Sequence, residues 1–287
     1  LNDNVETLLR YGVEQTSNYS ILGVIANALD KGIEASKCGK YFADAVKLDD
    51  FAKYGNASFT AIFRPKSIEI GKTTELEDAG GQIWTKTDGK WTTHAKLDSE
   101  YPSKVKHMQI NIDEYVETNT YKLMMSLSEE YQDTIWETIA AYEMYKLYLS
   151  NPDTDVDYTY IWDLVSMPNT KLFKTGINLV IMEIVNNDVT DNIDLICPTN
   201  TYSKTKFDID KPCLFLVKYL LQSKTIFEPI YSYNNGTRNI KRTFAKDSMK
   251  SLIKMLNHTL NNYCKPKSSM PDVYEFAKPI LLDELVD

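Results

Sequence analysis

Four side chains in the second half of the chain have the types that metal-dependent phosphodiester hydrolysis uses: Glu183, Asp194, Lys218 and Glu228. That chemistry wants carboxylates on adjacent strands to hold a divalent ion, with a lysine nearby to help polarise water. All four fall in or beside apolar runs that read as strands, which makes them nuclease candidates. Against this, charges alternating along strands are ordinarily solvated. Pro229, directly after Glu228, also spoils the acidic–x–lysine strand expected of a restriction-type nuclease.

A second constellation is nucleophilic. Asn18-Tyr19-Ser20-Ile21-Leu22 opens an apolar helical stretch, and Ile226-Phe227-Glu228-Pro229-Ile230-Tyr231 forms a late strand. This order resembles papain-like deubiquitinases of the ovarian-tumour type, in which the helix carries a cysteine and the last strand a histidine. Ser20 stands where the thiol would be and Ile226 where the base would be. A serine hydroxyl without a base is a poor nucleophile, so this resemblance implies an inactive version of the fold, kept for binding. Cys38 is the other thiol to consider, if a histidine reaches it.

His94, His107 and His258 are the only histidines, and Cys38, Cys197, Cys213 and Cys264 the only cysteines. His258, Cys264, Cys197 and Cys213 could in principle surround zinc, but structural zinc sites usually have two close ligand pairs and this set has none. No phosphate loop, dinucleotide fingerprint, zinc-protease helix or nucleophile elbow occurs. The expectation is therefore a non-enzyme without metal or cofactor.

Composition narrows the function classes further. The 287 residues carry 32 Lys plus Arg against 40 Asp plus Glu, a net charge of −8. That balance opposes the counterion release that drives nucleic-acid binding, so direct nucleic-acid contact by this segment is not expected, although a local basic patch is compatible with it. Cysteines without a CxxC pair point to a reducing compartment rather than a secreted framework. No run approaches the roughly 20 apolar residues that span a bilayer, and no signal peptide is visible. The chain opens on Leu1 and closes on Pro279-Ile280-Leu281-Leu282, a helix just starting, so both ends read as cuts in a longer chain.

The elements that must position these residues follow from periodicity. Helices are expected over 17–36, capped by Ser17 or Asn18, over 48–53, over 126–150 with Ser126 and Glu129 as a capping box, over 158–166, and over 247–262. Ser58 to Phe63 alternates like a short strand. Residues 67–106 lose apolar density and read as a polar excursion with one or two hairpins, one turning at Asp88-Gly89. Four apolar runs, 178–184, 192–197, 213–219 and 226–233, are separated by seven, fifteen and six residues. Parallel crossovers need a dozen or more residues and usually a helix, so the runs are expected to form an antiparallel meander.

The predicted class is α+β: an antiparallel sheet of about four to six strands, covered by the helices near 20–35 and 247–262. Leu179, Ile181, Leu195, Leu214, Leu216 and Ile230 would form its apolar face. Residues 1–66 read as the N-terminal helical part, 107–264 as helix plus sheet core of the same domain, and 265–287 as a linker to a following segment.

WDLVSMPN, GINLVIME, ICPTN and FEPIY, with the opening LLRYGVEQTSNYSILGVIANAL, resemble a domain of large proteins from nucleocytoplasmic large DNA viruses. Those proteins are described as similar to the large subunit of the poxvirus early transcription factor. The likeness covers nearly all of the chain except 67–106, and none of its marks carries a catalytic role. It implies a protein of virions and cytoplasmic viral factories, partnered with the viral RNA polymerase or a second factor subunit. The function expected is a non-catalytic, protein-binding segment; Trp162, Phe173 and Tyr231 are natural core residues, and Cys197-Pro198 a natural strand end.

Overall fold

The computed structural model describes residues 6–14, 18–95, 101–102, 104–127, 132–185, 193–199, 206–234, 237 and 239–264. In chain order the elements are β1 (Glu6–Arg10), α1 (Ser20–Ala28), α2 (Cys38–Ala43), α3 (Leu48–Phe51), α4 (Ser58–Phe63), β2 (Ser67–Ile70), β3 (Glu75–Asp78), β4 (Ile83–Thr87), β5 (Lys90–Thr93) and β6 (Val105–Ile110). There follow α5 (Asn119–Met125), α6 (Gln132–Ser150), α7 (Trp162–Ser166), β7 (Asn178–Ile184), β8 (Ile193–Ile196), β9 (Cys213–Leu221), β10 (Lys224–Asn234), β11 (Asn239–Lys241) and α8 (Lys250–Tyr263). The fold is α+β, built on two sheets.

The larger sheet runs β1-β10-β9-β7-β8, with β11 beside the far end of β10. All its pairings are antiparallel except β7 with β9, which is parallel. The expected meander is therefore corrected at one step: β8 takes the outside edge, and β9 returns to the other side of β7. Burial explains the order. β7 and β9 carry near-continuous apolar runs, mostly buried over their length, as central strands do, whereas β8 is exposed or half-buried. The fifteen-residue gap between β8 and β9, polar as it is, is long enough for the crossover.

The two helices expected to cover the sheet do so, but from opposite faces, α1 on one side and α8 on the other. Leu179, Ile181, Leu214, Leu216 and Phe227 join the main core with Ile21, Leu22 and Ile25 of α1. Val180, Cys213 and Phe215 pack with Ile253, Leu256 and Leu260 of α8. Leu195 and Ile230 belong to this second face, so the six apolar residues expected on one side divide between two. Burying each Leu or Ile fully is worth about 1.5–3 kcal/mol.

The stretch 67–106 is more than a polar excursion. With β6 it makes a five-stranded sheet in the order β2-β6-β3-β4-β5, in which only β2 and β6 run parallel. Asp88 and Gly89 turn β4 into β5 with φ 50° and 73°, the left-handed conformations a two-residue hairpin loop demands. Leu76, Trp84, Met108 and Ile110 are buried in the main core. The Trp84 indole donates to Asp78 at 3.0 Å, which satisfies its only polar atom.

Local differences have local causes. Ser58–Phe63 forms α4, not a strand, because Phe59 and Phe63 both pack against Tyr145 and Tyr160 from one side of a helix. α1 starts at Ser20, and Asn18 donates to the Pro152 carbonyl at 2.9 Å instead of capping it; Ser17 lies outside the described residues. Ser126 closes α5 rather than opening α6, and Glu129 is outside the described residues, as is the whole expected linker 265–287. Cys197 and Cys264 form a disulfide that ties the end of β8 to the end of α8, against the expectation of reduced cysteines. The two Cα atoms lie 5.3 Å apart across a sequence separation of 67, a proximity that no sequence spacing reveals.

Candidate functional site

Three of the four nuclease candidates fall in register on neighbouring strands, and two of them, Glu183 and Lys218, touch. The register of β7 sets Glu183 opposite Asp194 of β8 on one side and opposite Lys218 of β9 on the other. Residues directly opposite across a ladder share a face, so Asp194, Glu183 and Lys218 form one row across β8, β7 and β9. The Lys218 ammonium lies 2.7 Å from the Glu183 carboxylate and 5.3 Å from the centre of the Tyr158 ring. Tyr158 in turn packs on Phe227 and Trp162.

Phe227 stands opposite Lys218, and its backbone N–H donates to the Ser20 hydroxyl at 2.8 Å. Ser20, at the start of α1, is 3% exposed. The helix-to-late-strand contact of the papain-like order is thus present, with Ile226 next to it on β10. The histidines sit on other elements. His107 of β6 contacts Ser67 at 3.0 Å, and His258 of α8 contacts Asn262 at 2.9 Å, while His94 follows β5 on the smaller sheet.

Glu228 does not join the row. It pairs with Val217, one residue out of step, so its side chain lies on the opposite face. There it accepts from the Tyr219 hydroxyl at 2.9 Å and forms an ion pair with Arg10, whose guanidinium lies 4.7 Å from the Tyr219 ring centre. This ties β1 to β10 and β9. The zinc set is dissolved by the disulfide between Cys197 and Cys264. Cys38 is buried, and its thiol donates to the Glu34 carbonyl at 3.4 Å. Burial pushes its pKa up to about 11 and that of Cys213 up to about 12, which makes both thiols inert.

The chemistry open to the row is limited. One of its two carboxylates is already ion-paired, and among the described residues no group of three or more metal-ligating side chains comes together. Ser20 is buried against the strand it packs on.

A second site, which no sequence spacing pointed to, shares none of these residues. α2, α6 and the β4–β5 hairpin enclose an open cleft of about 480 Å³. Its floor is a buried charge pair: the Lys86 ammonium lies 2.8 Å from the Glu143 carboxylate, their side chains 10% and 2% exposed. Tyr115 donates its hydroxyl to Glu143 at 2.8 Å, and Glu114 lies 3.7 Å from Lys86. Burial by itself raises the Glu143 carboxyl, but Lys86, then Lys146, with hydrogen bonds from Lys86 and Tyr115, outweigh it and hold the pKa below the ordinary value. Burial and the Glu143 charge push Tyr115 far upward.

The one sequence signal for this site is Glu143 itself, a lone acid inside Ala140-Ala141-Tyr142-Glu143-Met144-Tyr145. Lys40, Lys86, Lys90 and Lys146, its cations, come from separate elements with no common spacing. No protein-family profile matches the chain, and no curated protein or solved structure matches it.

Proposed function

We propose that this chain is a non-catalytic, protein-binding segment of a viral protein of the early-transcription-factor type. Its partner is the viral RNA polymerase or a second factor subunit, in virions and in the cytoplasmic factory. The observation that carries this reading is the outer edge of the larger sheet. Among the described residues β1 pairs only with β10, and none of them pairs with the backbone donors and acceptors on its other side. Leu8, Leu9 and Tyr11 along it are 48%, 45% and 37% exposed. An open edge with apolar side chains on both faces is the kind of surface to which an extended partner segment adds as a further strand.

The engagement of the catalytic candidates in packing and ion pairs supports the same reading. So do the segments that resemble the viral family: WDLVSMPN supplies α7 and the turn after it, GINLVIME supplies β7 and FEPIY lies within β10. Trp162, Ile181 and Tyr231 within them are buried, a packing role rather than a catalytic one. The test is affinity purification of the tagged protein from infected cells. Recovery of viral polymerase subunits supports the proposal; a protein that is missing from transcribing virion cores and brings down no polymerase overturns it.

The row Asp194-Glu183-Lys218 favours a second reading, a metal-dependent nuclease. Incubating the chain with supercoiled DNA and Mg²⁺ or Mn²⁺ tests it. Cleavage that disappears in Glu183→Gln supports the nuclease, and intact DNA under both metals removes it.

A further inference from the structure

We propose that the cleft between α2, α6 and the β4–β5 hairpin binds a mononucleotide, its phosphates on the lysines and its base against Trp91. This goes beyond the protein-binding reading, and rests on a different surface from the β1 edge.

The charge of the cleft runs against that of the chain. Four lysines, Lys40, Lys86, Lys90 and Lys146, line it against two carboxylates, Asp44 and Glu143, in a chain of net charge −8. The two acids are spoken for. Glu143 holds Lys86 at 2.8 Å in the floor, and Asp44 lies 3.4 Å from Lys40, one helical turn away. Lys90 and Lys146 form no ion pair with a carboxylate among the described residues, although Lys146 adds to the field that holds Glu143 ionised; Lys146 lies 5.1 Å from the Tyr142 ring centre. Glu114 also reaches Lys86, at 3.7 Å, so four lysines meet three carboxylates and the local surplus is one positive charge; the two cations without an ion-paired acid, Lys90 of the hairpin and Lys146 of α6, face a common space.

The floor sharpens the case. A buried ion pair is costly to desolvate and is weak evidence for stability. Charged groups held under a cleft by specific partners mark a candidate functional site. Here the Glu143 charge fixes Lys86, and Lys86 keeps Glu143 from repelling an incoming anion.

Shape and aromatic content select among anions. A volume of about 480 Å³ falls within the range of small-ligand sites and suits a nucleoside phosphate. Trp91 and Tyr101 line the wall and are only partly buried, whereas the Thr92 and Ser150 hydroxyls beside them already donate to the backbone carbonyls of Thr85 and Lys146, at 3.2 Å and 2.8 Å. A planar ring beside lysines suits a ligand that joins a π-face to phosphate, which a bare phosphate or an acidic peptide lacks. A long polyanion gains affinity by meeting many phosphates, and the acidic remainder of this chain opposes that. A single nucleotide meets only the basic cleft.

The test is calorimetric titration of the full 287-residue chain with ATP, AMP, inorganic tripolyphosphate and a fifteen-mer of deoxythymidylate, alongside Lys90→Ala, Lys146→Ala and Trp91→Ala. The expected result is saturable ATP binding in the micromolar to sub-millimolar range, at least ten-fold weaker for tripolyphosphate. Each substitution should weaken ATP at least ten-fold, with the variants' melting temperatures recorded to show that they fold. No saturable binding of either nucleotide overturns the proposal, and so does binding unchanged in folded Lys146→Ala and Trp91→Ala. Tripolyphosphate as tight as ATP would make this a plain phosphate site. A fifteen-mer far tighter than ATP would make it a strand-binding face. Either outcome overturns the mononucleotide.

Discussion

Lys86→Met isolates the charge pair beneath the cleft. In the wild type, Glu143 stays ionised at 2% side-chain exposure because Lys86 lies 2.8 Å away and Tyr115 donates at 2.8 Å. Methionine preserves the apolar stem of the lysine, so packing changes little while Glu143 loses its nearest cation. Removing one partner of a buried pair costs about 3–5 kcal/mol; the lower end applies, since Tyr115 remains and Lys146 still attracts the carboxylate. Near 3 kcal/mol corresponds to a Tm lowered by about 6–12 °C for a domain of 150–250 residues.

The pH dependence has a definite sign. The folded-state pKa of Glu143 lies below its ordinary value, so the stabilisation is present above the ordinary carboxylate range and is lost as pH falls through the folded value. In Lys86→Met, burial acts without the lysine and raises the carboxyl. The deficit of the variant is therefore largest near neutral pH and narrows toward about pH 4 as Glu143 takes up a proton. Urea denaturation followed by circular dichroism at both pH values measures it, with Lys86→Met/Glu143→Leu as control. The double variant should be more stable than the single one, because it leaves no orphan charge. A single variant within about 0.5 kcal/mol of wild type at neutral pH, or a deficit that does not narrow in acid, would refute the buried, paired floor.

Other perturbations separate the remaining parts of the account. Leu216→Asp places a charge at a site 0% exposed between the central strands and should abolish folding in a melting experiment, while Trp91→Ala, on the cleft wall, should cost only about 1 kcal/mol; equal behaviour of the two would remove the sheet assignment. The Cys197–Cys264 disulfide closes a loop of 67 residues, so reduction, or Cys264→Ser, should lower stability by about 2–4 kcal/mol, and mass spectrometry of the alkylated native chain should find no free thiol at either position. Cys38 and Cys213 should resist alkylation until the chain is unfolded, since both are buried with raised pKa values; rapid native labelling of either would contradict their inertness. Arg10→Ala removes the ion pair to Glu228 at a half-exposed position and should cost no more than about 1 kcal/mol, detectable as faster hydrogen exchange along β1.

Residues whose neighbours are local were legible in the sequence. The four apolar runs become β7 to β10 nearly to the residue, because alternation and breakers act within a few positions. The Asp88-Gly89 turn and α8 were readable for the same reason, and so was the start of α1, which stops at Ala28 rather than running on to 36. What depends on distant partners was not. Strand order turned on which runs are buried on both faces, a property of β7 and β9 visible only once α1 and α8 are placed. Trp84 looked like a surface hairpin residue until Asp78 and the main core enclosed it. Of the candidate site, sequence order located Glu183, Asp194 and Lys218 on neighbouring strands, but the faces that set Glu228 apart needed the register. The cleft drew its lysines from α2, β4, β5 and α6, and no spacing rule joins them.

The most direct measurement compares the protein with a variant carrying Leu8→Lys and Leu9→Lys, both tagged and purified from infected cells. These leucines are 48% and 45% exposed, and lysines on an edge strand discourage strand addition while leaving the fold in place. The account predicts polymerase subunits with the wild type, at least ten-fold less polymerase with the variant, and equal melting temperatures. Equal recovery of polymerase by both proteins, or by neither, would contradict a partner docked on the β1 edge.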